Sequence, residues 1–299
     1  MISTQVPGHL LAAARVGFLA TAVPAVPTYA SIAQTIDMGA RSVDLVDLGG
    51  APMPTNDRGR GVGQDFIEKV LTITPKDWEI KVSISSNAID DDQTGTLERK
   101  VRAAGENFQL HISNLAFKAL NDGDATTNFG AGYDGLAFYS ASHLDKGAAY
   151  QTVQSNVNNL ALSLDNFETV RVAAGLFKQD QGEYTNYNYD LLTVPPALER
   201  TAAQIVNNPF AFDTANRESN PYAGITKYQV SPQLDSTAWI LSASAASIKP
   251  ILVVMRKQPA LQSAWFDPDG ADGGTFWFKF FARYNHFYGD WRLAVMGKS

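Results

Sequence analysis

Residues 94–123 read TGTLERKVRAAGENFQLHISNLAFKALNDG. Leu97, Val101, Ala104, Phe108, Ile112, Leu115 and Ala119 are the apolar positions, separated by steps of four, three, four, four, three and four. Those steps trace one face of an α-helix. Polar and charged residues such as Glu98, Arg99, Arg102, Glu106 and Lys118 take most of the other positions. Asp90-Asp91-Asp92 stands upstream, where carboxylates suit the positive end of a helix dipole. Asn121-Asp122-Gly123 supplies the stop, with Gly123 expected as a left-handed cap. Residues 97–120 predict a rod of about 36 Å at 1.5 Å per residue, about twice the usual globular length. A one-sided helix of that length predicts a spine for other elements to lie across.

Upstream of this spine, residues 66–89 (FIEKVLTITPKDWEIKVSISSNAI) alternate strictly from Ile80 to Ile84 and are rich in β-branched side chains. They predict a two-stranded β-ribbon with Thr74-Pro75-Lys76-Asp77 as its turn. Such a ribbon is marginal alone in water, so it is expected to pack on something else, a second subunit included. Residues 51–66 are a loop rich in Gly and Pro. Its Gly59-x-Gly61-x-Gly63 lacks the Lys-Ser/Thr partner and preceding strand that a phosphate loop requires. Residues 1–50 hold a helical segment at about 10–21, a proline joint at Pro24 and Pro27, and a second segment ending at Gly49-Gly50. That pattern reads as an arm. No Lys or Arg precedes its apolar run and Arg15 interrupts it, unlike a secretory signal.

Downstream, helices are expected at about 165–178, where Asp165 and Glu168 approximate a capping box, and at about 197–206, opened by Pro195-Pro196. Strands are expected at about 190–194, 239–243, 251–256, 275–285 and 291–295. The last two are expected to pair across a Tyr288-Gly289-Asp290 turn.

The bulk numbers narrow the classes of function. The chain has 299 residues, 45% hydrophobic and 18% charged, with net charge −6. That is ample for a large core. An acidic chain with no basic run is a poor nucleic-acid reader, because phosphate affinity rests on clustered Lys and Arg. No cysteine is present, which removes disulfides, thiolate zinc sites and cysteine nucleophiles. No window reaches the ~18 uninterrupted apolar residues of a membrane span.

Chemistry finds little purchase. His9, His111, His143 and His286 include no pair at metal-ligand spacing. His111, beside the spine's apolar stripe, reads as a packed residue. His143 has Ser142 and Asp145 nearby, but no G-x-S-x-G elbow accompanies it. Asp90-Asp91-Asp92 and Asp267-Pro268-Asp269-Gly270-Ala271-Asp272 lack the spacing of a calcium loop. No catalytic residue, metal site or cofactor is expected.

An arm, a ribbon, a long spine and a β-rich C-terminal part suggest a self-assembling shell subunit. The chain also resembles a known family, the major head (capsid) proteins of tailed bacteriophages, in particular the Mu-type head subunit group. The likeness is carried by Ile89-Asp90-Asp91-Asp92, by YDGLAFYSASH at 133–143, LLTVPPAL at 191–198 and AWIL at 238–241. It continues with IKPI at 248–251, RKQP at 256–259 and FARYNHFYGDWRLA at 281–294. It covers about residue 51 to the end, in the family's order.

The resemblance implies an α+β chain with the fold of the Hong Kong 97 (HK97-like) capsid protein. Residues 1–50 would be the N-terminal arm and 51–92 the extended β-loop. Residues 93–150 and 245–299 would form the peripheral domain with the spine helix, and 151–244 the axial domain. It implies pentamers and hexamers of a shell in the virion, assembled in the bacterial host cytoplasm around double-stranded DNA without sequence-specific binding. Portal and scaffold or decoration proteins would be its partners, with no membrane. The apolar, alanine-rich start is unlike the charged scaffold segment of some relatives, which implies a separate scaffold or none. The expected subunit interface comprises Trp78 as apolar anchor, with Arg58, Arg60, Lys69 and Lys81 available to carboxylates across the joint. The alternatives are a tail-tube or decoration protein, against which the long helix counts, or a hydrolase using His143.

Overall fold

The computed structural model describes residue 12 and residues 28–40, 42–46, 70–92, 95–144, 152–179, 182–210, 219–266 and 275–299. In chain order these form strands β1 (Ala33–Asp37), β2 (Val43–Val46), β3 (Val70–Ile73) and β4 (Lys76–Ser85). A short helix α1 (Ser86–Asp90) and the spine α2 (Thr96–Asn121) follow. Next come β5 (Val157–Asn158), α3 (Leu164–Gly175), β6 (Leu191–Val194), α4 (Glu199–Asn207), β7 (Lys227–Val230) and β8 (Ala238–Ser242). The chain closes with β9 (Ile251–Phe266), β10 (Thr275–Tyr288) and β11 (Ala294–Lys298).

The spine forms as its periodicity predicts. Asp92 caps its start, its two carboxylate oxygens accepting the N–H groups of Thr96 and Leu97 at 3.2 and 3.0 Å, which meets the demand of otherwise unpaired first-turn donors. The cap of the far end differs from expectation. The left-handed glycine is Gly95, before the helix, with φ +68°. Gly123 sits in a short 3-10 turn (Asp122–Asp124). Its missing side chain matters for another reason: a Cβ there would lie 2.7 Å from the ring of Tyr139.

The spine buries Val101, Phe108, Ile112, Ala116, Ala119 and Leu120 against a four-stranded sheet ordered β1-β9-β10-β4. Burying Phe108 or Ile112 contributes roughly 2 kcal/mol each. From β10, Phe278, Phe280, Tyr284, His286 and Tyr288 are buried, joined by Ile251 and Val253 of β9 in the same core. The opposite side of the sheet is lidded at one end by the β2–β3 pair, where Met38, Ile73 and Val254 make a small second core.

Strand pairing departs from the sequence reading in two places. Residues 66–89 do not make one ribbon. β3 pairs antiparallel with β2, β4 pairs over its whole length with β10, and residues 86–90 are helical. A hairpin of β3 with β4 would leave Trp78, Ile80 and Val82 in water, whereas β4 beside β10 packs them on the main core. Nor do 275–285 pair with 291–295. β10 lies between β9 and β4, Trp291–Leu293 is a 3-10 turn, and β11 belongs to a second sheet ordered β5-β11-β8-β6-β7. β9 also runs longer than expected because a bulge absorbs Gln258 and Pro259, where its register against β10 shifts. Proline has no N–H to give the ladder.

The second sheet, with α3 and α4, takes up most of residues 157–242, and β11 completes it from the C-terminal end. Both sheets share one continuous core that runs from Val101 and Phe280 to Trp239, Ile240 and Val295.

Candidate functional site

Two of the motifs quoted above, YDGLAFYSASH and FYGDWRLA, meet in space. A tight turn forms where Gly135 takes φ +82° and the Asp134 carboxylate accepts the Leu136 N–H at 3.1 Å. This turn aims Tyr133 and Asp134 at the C-terminal 3-10 turn, whose start is capped by Asp290 accepting the Arg292 N–H at 3.0 Å. Tyr133 and Asp290 are 157 residues apart in sequence, and the Tyr133 hydroxyl donates to Oδ1 of Asp290 at 3.3 Å. Nη1 of Arg292 donates to the Tyr133 hydroxyl at 2.6 Å and pairs with Asp290 at 3.3 Å. Nε of Arg292 donates to the Lys178 carbonyl at 3.0 Å, and the Tyr189 hydroxyl donates to the Arg292 carbonyl at 2.6 Å. Both charged side chains are almost wholly buried.

Beside this pair lies a second one. Nδ1 of His143 is 2.5 Å from Oδ2 of Asp134, and the imidazole stacks on Trp291 with centroids 4.2 Å apart and planes 4° apart. Nε2 of His143 faces the Asn156 Oδ1 at 3.1 Å and the Phe138 carbonyl at 3.3 Å. Asn156 is oriented by its amide, whose Nδ2 donates to the carbonyls of Phe138, Trp291 and Ala294, while its Oδ1 accepts the Ser140 N–H. Burial alone would raise the Asp134 carboxyl, but the hydrogen bond and charge of His143, with the Leu136 N–H, hold it below the ordinary carboxylate value. Near Asp290, burial and the neighbouring carboxylate push the Tyr187 hydroxyl well above its ordinary range.

This seam ties the segment after the spine to β5 and β11. With both ring nitrogens held by acceptors and only 1% of its surface exposed, His143 lacks the geometry of a hydrolase base. Ser142 contacts Ser140 instead, with hydroxyls 3.3 Å apart, and Asp145 lies outside the described residues. Among the described residues no group of three His, Cys, Asp or Glu side chains could hold a metal ion. No helix among them is long and apolar enough to cross a membrane.

The residues expected at a subunit interface are spread by the fold. Arg58, Arg60 and Lys69 lie outside the described residues, as do the glycine loop at 59–63, the helix at 10–21 and the acidic turn at 267–272. Trp78 and Lys81 point to opposite faces of β4. Trp78 is half-buried on its own chain: its Nε1 donates to the Tyr284 carbonyl at 3.0 Å, and its ring lies 4.5 Å from His111 and 5.8 Å from Tyr284. Lys81 is exposed, its ammonium 5.1 Å from the Trp277 ring. His111 is a packed residue of the spine, Nδ1 2.6 Å from the Tyr284 hydroxyl.

Sequence reading missed Asn156, Tyr187, Tyr189 and the Asp290–Arg292 pair. An Asn in an Asn-rich stretch carries no mark of burial. Asp290 and Arg292 did carry one, since two opposite charges embedded in an aromatic and aliphatic run are stable inside a protein only when paired.

The fold defined by the spine and two sheets is that of phage capsid proteins, the HK97-like fold. The capsid of bacteriophage JBD30 matches with TM-score 0.55 at 20% identity, covering 77% of this chain and 99% of that one. The same capsid decorated with minor capsid protein trimers matches at 19% identity and TM-score 0.55, covering 70% and 90%. The capsid of the native GTA particle matches at 12% identity and TM-score 0.55, covering 91% and 89%. A comparison with curated protein sequences finds no match. The family model described as phage capsid protein matches residues 68–292, and the chain belongs to that family. It is a major capsid protein, a component of the phage head shell, and the tail-tube and decoration readings give way to this one.

Proposed function

We propose that the chain is a Mu-type head subunit whose spine-bearing half is peripheral in the shell and whose second-sheet half, about residues 151–244, is axial. Copies of the axial half gather around five- and six-fold centres. The parts of the arm (1–50) and extended loop (51–92) that do not join this chain's own sheets reach neighbouring subunits, with Arg58, Arg60, Lys69, Lys81 and the uncovered part of Trp78 at the joint. Portal and scaffold or decoration proteins complete the particle, which assembles in the bacterial cytoplasm and encloses double-stranded DNA. The net charge of −6 suits a container that must fill and empty without holding its contents tightly.

One observation carries the division of labour. Eight large hydrophobic side chains are exposed among the described residues, and all but Leu110 fall between Val153 and Val230. The second-sheet half therefore presents the surface that another copy must cover. Negative-stain electron microscopy of the purified full chain tests this reading. Closed shells or rings of five and six are expected; a monodisperse monomer at every concentration refutes it.

A further inference from the structure

The second-sheet half carries two unlike apolar patches at its two edges. At the β5 edge, Val153 is 53% and Leu176 58% exposed, with Tyr184 at 46%. Gln154 holds this patch together: its Oε1 accepts the Lys178 N–H at 2.7 Å and its Nε2 donates to the Lys178 carbonyl at 3.1 Å. Lys178 in turn forms a β-bridge with Tyr184. At the β7 edge, Ile225, 53% exposed, precedes the strand and Val230 ends it. The order β5-β11-β8-β6-β7 puts four strand intervals between the edges, about 19 Å at ~4.8 Å each.

The two patches also differ in charge. Glu183 is exposed beside Tyr184, and Lys227 is exposed between Ile225 and Val230. Neither side chain has an ion-pair partner among the described residues. A carboxylate thus marks one patch, where the Lys178 ammonium lies over the Tyr184 ring at 5.1 Å from its centroid, and the Lys227 ammonium marks the other. Surfaces that differ in this way do not suit a two-fold contact, in which each patch meets its own copy. They suit head-to-tail contact, which closes into a ring when the rotation allows.

We infer that the Val153–Leu176–Tyr184 patch of one copy seats on the Ile225–Val230 edge of the next copy around each ring, with Glu183 facing Lys227 across the joint. This rests on the axial-ring reading above and names the surfaces that make it. The apolar pairs exclude water from the joint, and the charge pair sets its direction, since reversing a subunit would bring like charges together.

The absence of cysteine makes the test direct. Leu176→Cys and Ile225→Cys alter side chains that are more than half exposed, and a short bismaleimide is applied to the assembled full chain. The double variant is expected to give a covalent ladder ending at five and six. A mixture of the two single variants gives dimers, and each single variant alone stays monomeric on a denaturing gel. Self-linking of either single variant overturns the head-to-tail pairing. So does a double variant that forms shells by sedimentation yet does not link, and that outcome leaves the axial-ring reading standing. A parent chain that does not sediment as particles defeats that reading and the inference with it. In a second arm, Glu183→Lys and Lys227→Glu each lower particle yield at least tenfold, and their combination restores it to within twofold of the parent. Failure of the combination to restore yield removes the charge pairing.

Discussion

Acid should loosen the spine from its sheet, and His286 sets the size of the effect. Its imidazole is buried between β10 and α2, where Nε2 donates to the Ile112 carbonyl at 3.1 Å and Nδ1 has no hydrogen-bond partner among the described residues. Burial holds its pKa down at about 4 against an ordinary value of 6.5; the Ile112 hydrogen bond opposes the shift and His111 adds to it. The folded chain therefore resists a proton that the unfolded chain accepts. Stability is fully present above pH 6.5 and is lost as pH falls through the window from 6.5 to 4. At 1.36 kcal/mol per unit the total is about 3 kcal/mol, with about 2 kcal/mol gone by pH 5. Urea unfolding of the full chain at pH 7.5, 6.0, 5.0 and 4.5 measures it. His286→Gln keeps a donor for the Ile112 carbonyl but cannot take up the proton. It should be less stable than the parent near pH 7.5 and should flatten most of the slope, leaving the smaller contribution of His111, whose pKa burial also lowers. Parallel pH profiles for parent and variant would refute the reasoning, because the slope would then come from other groups.

Further expectations follow from the seam and from close packing. Asn156→Ala strands the Ser140 N–H and removes three donor contacts from buried carbonyls; it should cost about 3–5 kcal/mol in urea unfolding at ~1–3 kcal/mol per orphaned group, and a loss under about 1 kcal/mol contradicts the assigned network. Asp134 contributes in the same pH sense as His286 but in a lower window: its depressed pKa gives stability that is present above about 3.8 and lost as pH falls below it, so Asp134→Asn should abolish that lowest-pH component. Breaking its buried pair should also cost about 3 kcal/mol near neutrality, read from the same titrations. Gly297→Ala drives a Cβ into the buried indole of Trp239, which is pinned by its Nε1 donating to the Leu160 carbonyl at 2.9 Å; a loss of roughly 1–3 kcal/mol is expected, visible as a lowered Tm. Trp78→Ala should cost about 3 kcal/mol and reduce particle yield, whereas Lys81→Ala should change stability by less than about 0.5 kcal/mol; equal yields of particles from the two variants would count against Trp78 as an anchor.

The spine, the caps at its start and most strand positions were legible along the chain because they are written in local periodicity. Leu97, Val101, Phe108 and Ile112 share a face whatever they pack against, and Asp92 reaches the first-turn N–H groups without help from distant residues. The order of motifs likewise carried the family, since it depends only on sequence. Strand partners were not legible. Residues adjacent across a turn, such as β3 and β4, look like natural partners, yet pairing is settled by which faces can be buried together, and the face that fits β4 lies on β10, some two hundred residues away. The same holds for the seam: nothing near Asn156 or His143 in sequence announces Trp291 or Ala294, and Gly123 owes its place to the ring of Tyr139 rather than to its own backbone. Periodicity and capping, which act over a turn or two of chain, were settled by the sequence alone. Burial of matched faces and pairing of buried charges act between distant segments, and only the tertiary structure could decide them.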